Sequence, residues 1–118
     1  MHVNGNILAD ALYETSDISL KNNINKLSNS LSKISSLNPV SFTWRENGQE
    51  SQGFIAQELE EVLPSLVKTS EKSGYKSVQY SNLTALLTAG IKEQQEKIDK
   101  LEIEVEILKL QVSDLLEN

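Results

Sequence analysis

The sequence predicts an α+β protein: a small core of short strands and helices followed by a long C-terminal helix that oligomerises as a coiled coil. Three observations carry this. Apolar residues recur at spacings of three and four between Ile24 and Leu37. Between Val40 and Tyr80, short alternating stretches are separated by Pro, Gly and Asn. Beyond Ser81 the apolar residues fall into heptads. A chain of 118 residues has room for one domain with an appended helix.

Composition narrows the function. A net charge of −6 without a basic run speaks against a nucleic-acid footprint or an anionic-membrane patch. With no cysteine there is no disulfide framework and no thiolate metal site, and His2 is the single histidine, so no metal or cofactor is expected. No apolar run approaches the roughly 18 residues of a membrane span, and no signal-peptide pattern is present. The chain reads as cytoplasmic, or at least as made without export.

Residues 1–15 do not resemble the start of a self-contained fold. Asn4-Gly5-Asn6 is a turn signal before a short apolar stretch, Ile7-Leu8-Ala9. They read as the end of something upstream or as an ordinary frayed terminus. From Asn22 the stripe Ile24, Leu27, Leu31, Ile34 and Leu37 predicts an amphipathic helix, capped by Asn22 or Asn23 and ended by Asn38-Pro39.

Val40-Ser41-Phe42-Thr43-Trp44 alternates as a half-buried strand does, Glu46–Gln49 supplies an Asn-Gly turn, and Ser51–Ile55 returns. Trp44 and Phe54 are read as core anchors. Ala56–Leu63 forms a short helix stopped by Pro64. Its carboxylates Glu58, Glu60 and Glu61 are read as a solvated face, because no histidine or second acidic cluster joins them. Leu66-Val67-Lys68 and Tyr75–Tyr80 read as two strands joined by a loop over residues 69–74.

Ser81 or Asn82 is expected to cap the last helix. Ile91, Ile98, Val105 and Val112 recur every seven residues, with Gln94, Leu101, Leu108 and Leu115 at the alternate position. That is a coiled-coil seam. Branched residues at one position with Leu at the other favour two strands. Gln94 and a second stripe of Ile103, Ile107 and Leu110 pull toward a higher oligomer or another contact, so periodicity leaves the number open. The roughly 65 residues before the helix form a core marginal by itself, which also points to association.

Ser16 and Lys21, five residues apart, are a nucleophile candidate and an amine base candidate. Alone, the pair is of coincidence grade: Ser16 would equally cap a following helix and Lys21 lie solvated on the surface. Chemistry sets its terms. Serine attacks only when a neutral amine takes its proton. Lysine's ordinary pKa of about 10.4 must fall toward 7, which burial achieves. A five-residue spacing places two side chains about 140° apart on a helix and on opposite faces of a strand. The dyad therefore needs an irregular turn or partners from two chains.

In order and spacing, the chain resembles the peptidase S74 domain. This is the C-terminal intramolecular chaperone of phage tail-spike and tail-fibre proteins, found also in endosialidases and myelin-regulatory-factor-type transcription factors. The resemblance rests on Ser16-Asp17-Ile18 with Leu20-Lys21 and Asn23-Ile24, on Pro39-Val40-Ser41-Phe42-Thr43-Trp44, and on Gly53-Phe54-Ile55-Ala56-Gln57-Glu58 with Val62-Leu63-Pro64 and Val67. It continues through Val78-Gln79-Tyr80, Leu83, Leu86-Leu87 and Ile91-Lys92-Glu93, and spans about residues 13–105.

The resemblance implies a homotrimer that holds three chains together while an upstream β-rich fibre or spike folds, in the cytoplasm of the infected host cell, and then cuts itself off. Carried over by position, Ser16 is the nucleophile, Lys21 the general base and Ser16–Asp17 the cleavage site. Residues 1–16 become the end of the fibre, 17–90 the chaperone core and 82–118 the oligomerising helix. Assembly is expected to bury the dyad and switch it on. Ser19 stands where the family usually carries arginine, two residues before the lysine. That departure keeps a non-cleaving trimerisation and folding module as the alternative.

Overall fold

The computed structural model describes residues 13–117. The expectations for Asn4–Ala9 and His2 lie outside them. Among the described residues the architecture is α+β. Helix α1 (Ser30–Ile34) leads into a hairpin of β1 (Val40–Thr43) and β2 (Glu50–Gly53). Helix α2 (Ala56–Val62) and a 3-10 turn opened by Pro64 follow. A second hairpin of β3 (Val67–Thr69) and β4 (Lys76–Val78) then feeds helix α3 (Tyr80–Glu117).

Both hairpins are antiparallel, with Phe42 opposite Ser51 in the first and Lys68 opposite Ser77 in the second. In β1, half-buried Val40 and Phe42 alternate with exposed Ser41 and Thr43, as the period-2 pattern predicts. Its turn is closed by Gly48 N–H donating to the Trp44 carbonyl at 2.7 Å and Trp44 N–H donating to the Gln49 carbonyl at 2.9 Å. Trp44 is half-buried, edge-to-face on Phe42 at 5.0 Å, while Phe54 packs against the central cluster.

That cluster is Leu59 of α2 with Leu83 and Leu86 of α3, ringed by residues such as Ile34, Leu37, Phe54, Leu66 and Val78. Burying a leucine stabilises by about 2 kcal/mol. Three buried leucines make a small core, in keeping with the short, polar segments that build it. Two glycines allow its walls to approach. A Cβ on Gly53 would meet the Tyr80 hydroxyl, which accepts a hydrogen bond from Phe54 N–H at 3.2 Å. A Cβ on buried Gly90 would strike the Ile34 side chain, so α1 lies directly on the α3 backbone there.

The first helix corrects the sequence reading. Only Ser30–Ile34 is α-helical, and Ile24 and Leu27 are 65% and 55% exposed. Asn23 and Asn29 adopt positive φ, 53° and 55°, and each interrupts a right-handed helix. Neither Asn22 nor Asn23 is the cap, and Asn29, at the capping position, makes no side-chain cap bond. Instead the Glu93 carboxylate of α3 accepts from Ser30 N–H at 2.9 Å and Leu31 N–H at 3.1 Å. Helix α1 therefore forms where α3 supplies a capping anion and where Ile34 packs against the core cluster.

Helix α3 starts at Tyr80, so the expected caps Ser81 and Asn82 lie inside it. Its 38 residues extend the molecule to 75 Å. Leu83, Leu86 and Gly90 are buried in its first turns. From Ile91 onward the heptad residues expected to form a seam, Ile91, Ile98, Leu101, Val105, Leu108, Val112 and Leu115, are exposed in the single chain, with Gln94 among them. No helix among the described residues is long and apolar enough to cross a membrane.

Candidate active site

Residues 16–21 form a turn built from its own groups. Asp17 is extended (φ −68°, ψ 135°) and opens a single 3-10 turn, Ile18–Leu20. Leu20 N–H donates to the Asp17 carbonyl and Lys21 N–H to the Ile18 carbonyl, both at 3.1 Å. One oxygen of the Asp17 carboxylate caps the turn, accepting from Ser19 N–H at 2.9 Å and from the Ser19 hydroxyl at 2.8 Å. These two hydrogen bonds, the backbone one first, hold the Asp17 carboxyl below its ordinary pKa.

Beyond the turn Lys21 is extended, and its Nζ lies 2.6 Å from Ser16 Oγ. The irregular turn that a serine and a lysine at this spacing need in order to meet is thus present within one chain. It is Asp17, not Ser16, that caps it, which leaves the Ser16 hydroxyl to Lys21. An ammonium donates across this distance; a neutral amine at the same place accepts the hydroxyl proton, the arrangement of a nucleophile beside its base. Ser16 and Lys21 are both exposed, as are Ile18, Leu20, Ile24 and Leu27 around them.

Two of the α2 carboxylates have structural partners. Glu60 pairs with half-buried Lys76 at 3.0 Å, and Glu58 accepts from Asn38 Nδ2 at 3.2 Å. Glu58 and Glu61 line a depression together with Leu59 and Phe54. Among the described residues no group of His, Cys, Asp or Glu is arranged to hold a metal. The residue that sequence reasoning passed over is Asp17 as a cap. Its signal was available, because an Asp side chain commonly accepts from the backbone N–H two residues on and so closes a local turn.

Residues 16–68 match the Peptidase_S74 family, described as chaperone of endosialidase. The chain is 33% identical over 115 residues to the long tail fiber protein Gp37 of Salmonella phage S16, covering 89% of this chain and 15% of that protein. It is 35% identical over 105 residues to Gp37 of Enterobacteria phage K3 and likewise to that of Enterobacteria phage T2, covering 82% of this chain and 8% of each. The chain therefore spans a small fraction of the length of these relatives. Likeness beyond Lys68 is carried by the fibre proteins and not by the family match.

Proposed function

The chain belongs to the peptidase S74 family through residues 16–68, and on that premise we propose that it is the intramolecular chaperone of a phage tail fibre, trimerising, assisting the upstream fibre to fold and then releasing itself. The observation that carries the cleavage part is the 2.6 Å contact of Lys21 Nζ with Ser16 Oγ, beside the Ser16–Asp17 bond.

In this reading a neutral Lys21 takes the Ser16 hydroxyl proton as Oγ attacks a backbone carbonyl carbon. The peptide C–N bond breaks, the leaving nitrogen receives that proton, and water hydrolyses the resulting ester. Attack by Ser16 on its own carbonyl closes a four-membered ring. A contorted bond, a serine from a neighbouring chain, or an N→O shift at Thr15–Ser16 each relieves that constraint. The fragment's mass separates a cut before Asp17 from one before Ser16.

Exposure supports a condition. In the single chain both members of the dyad face solvent, and so do the apolar seam of α3 and Ile18, Leu20, Ile24 and Leu27. Association through the heptads into a homotrimer brings copies together, covers this segment and favours the neutral amine, so cutting reports assembly. Ser19, in place of the expected arginine, favours the second reading, a trimerising and folding module that stays attached.

Intact-mass spectrometry of the purified chain decides between them. Wild type should lose its first 15 or 16 residues with time and Ser16→Ala should stay whole. An uncut wild type leaves the non-cleaving module.

A further inference from the structure

We propose that Asp17 and Ser19 are positioning residues of this cleavage site, a two-residue clamp that closes the turn and delivers Lys21 to Ser16. The clamp's role in catalysis rests on the cleavage reading. In an exposed segment no burial fixes the long lysine side chain over a serine hydroxyl. The described bonds that join residues 16–21 to one another are two backbone bonds of the turn, two bonds from Ser19 to Asp17 Oδ1, and the Lys21–Ser16 contact itself.

A lone 3-10 turn with two backbone bonds is a weak element. The carboxylate that accepts both the Ser19 amide and the Ser19 hydroxyl converts it into a defined one. Ser19 thereby has a task of its own at the position where arginine was expected. The lowered pKa of Asp17 accords with this, since the bonds are strongest to the ionised carboxylate.

The Ser19 amide contributes whatever the side chain; the hydroxyl is lost only in variants. Loss should therefore be graded. Asp17→Ala removes both bonds and Ser19→Ala removes one. Ser19→Thr keeps the hydroxyl and Asp17→Asn keeps an acceptor oxygen. Single-turnover cleavage of the 118-residue chain, followed by intact mass, should slow about fivefold in Ser19→Ala, the population change that one capping interaction is worth, and more in Asp17→Ala. Ser19→Thr and Asp17→Asn should recover most of the rate.

A second measurement does not need cleavage. In the Ser16→Ala chain, an NMR titration should show the Asp17 carboxyl titrating below an ordinary aspartate and the Ser19 amide shift following with the same midpoint. An ordinary Asp17 midpoint with an indifferent Ser19 amide, or Ser19→Ala and Asp17→Ala cutting at the wild-type rate, overturns the clamp while leaving cleavage intact. A wild type that never cuts, with the titration as expected, overturns the cleavage reading and the positioning role with it, leaving a turn that is structural.

Discussion

Lys21 and Lys76 reach hydroxyl groups at similar distances, 2.6 Å to Ser16 and 2.8 Å to Thr69, in opposite settings. Lys76 is half-buried between β3 and α2, and Glu60 answers its charge at 3.0 Å. Lys21 is exposed, and the nearby Asp17 carboxylate is engaged by Ser19 instead. An opposite charge holds an amine as ammonium, whereas covering an uncompensated amine favours its neutral form. Lys76 thus has a carboxylate partner inside the fold, whereas the described partner of Lys21 is the Ser16 hydroxyl. The same division separates residues 30–93 from the site segment. The core is held by contacts across the chain, such as Glu93 to Ser30. The site segment holds itself by bonds no longer than five residues and shows its apolar side chains to solvent.

The most severe test of this contrast keeps the core and prevents covering. Leu101→Asp combined with Leu108→Asp places charges in the seam and touches nothing in the core. The variant should sediment as a monomer, retain its Trp44 fluorescence and yield no cleaved fragment. A monomer that cuts at the wild-type rate would show that Lys21 needs no cover.

The converse is Leu83→Ala, which empties the centre of the core. Leucine-to-alanine changes at such sites cost about 2–5 kcal/mol. Urea unfolding should register that loss, while the Ser19 amide shift, reporting a turn made of local bonds, should stay where it is. Smaller still is Glu93→Ala, which leaves the first amides of α1 without their acceptor. It should cost about 1 kcal/mol. Glu93→Gln, retaining an acceptor oxygen, should cost less, and amide exchange at Ser30 and Leu31 should rank the two in that order.

Much of the core was legible because its signals are local. Alternation set β1, the Asn47-Gly48 pair set the hairpin, Pro64 stopped α2, and heptads set α3. The helix expected from Asn22 failed for a reason the stripe does not contain. Ile24 and Leu27 have the spacing but are exposed in the single chain, and Asn23 and Asn29 turn left-handed. Amphipathic spacing stabilises a helix only where a partner covers it. Glu93 lies in the run Ile91-Lys92-Glu93 that marked the resemblance, yet its task as a cap 62 and 63 residues away had no sequence signal. At the site, a serine five residues ahead of a lysine was readable, as was the irregular turn that their meeting needs; the Asp17 carboxylate that caps this turn was not.

Spacing and residue type alone dictated the class of fold, the long helix α3 with its heptad pattern, and a serine five residues ahead of a lysine. These need only the periods of helix and strand and the chemistry of single side chains. Where a stripe becomes a helix, and which lysine is paired, was settled by tertiary contacts, because capping, burial and ion pairing depend on the distant segment brought alongside. Ser16 and Lys21 stand between the two. Their meeting is local, made by one turn, and their exposure in the single chain is set by which segments pack nearby.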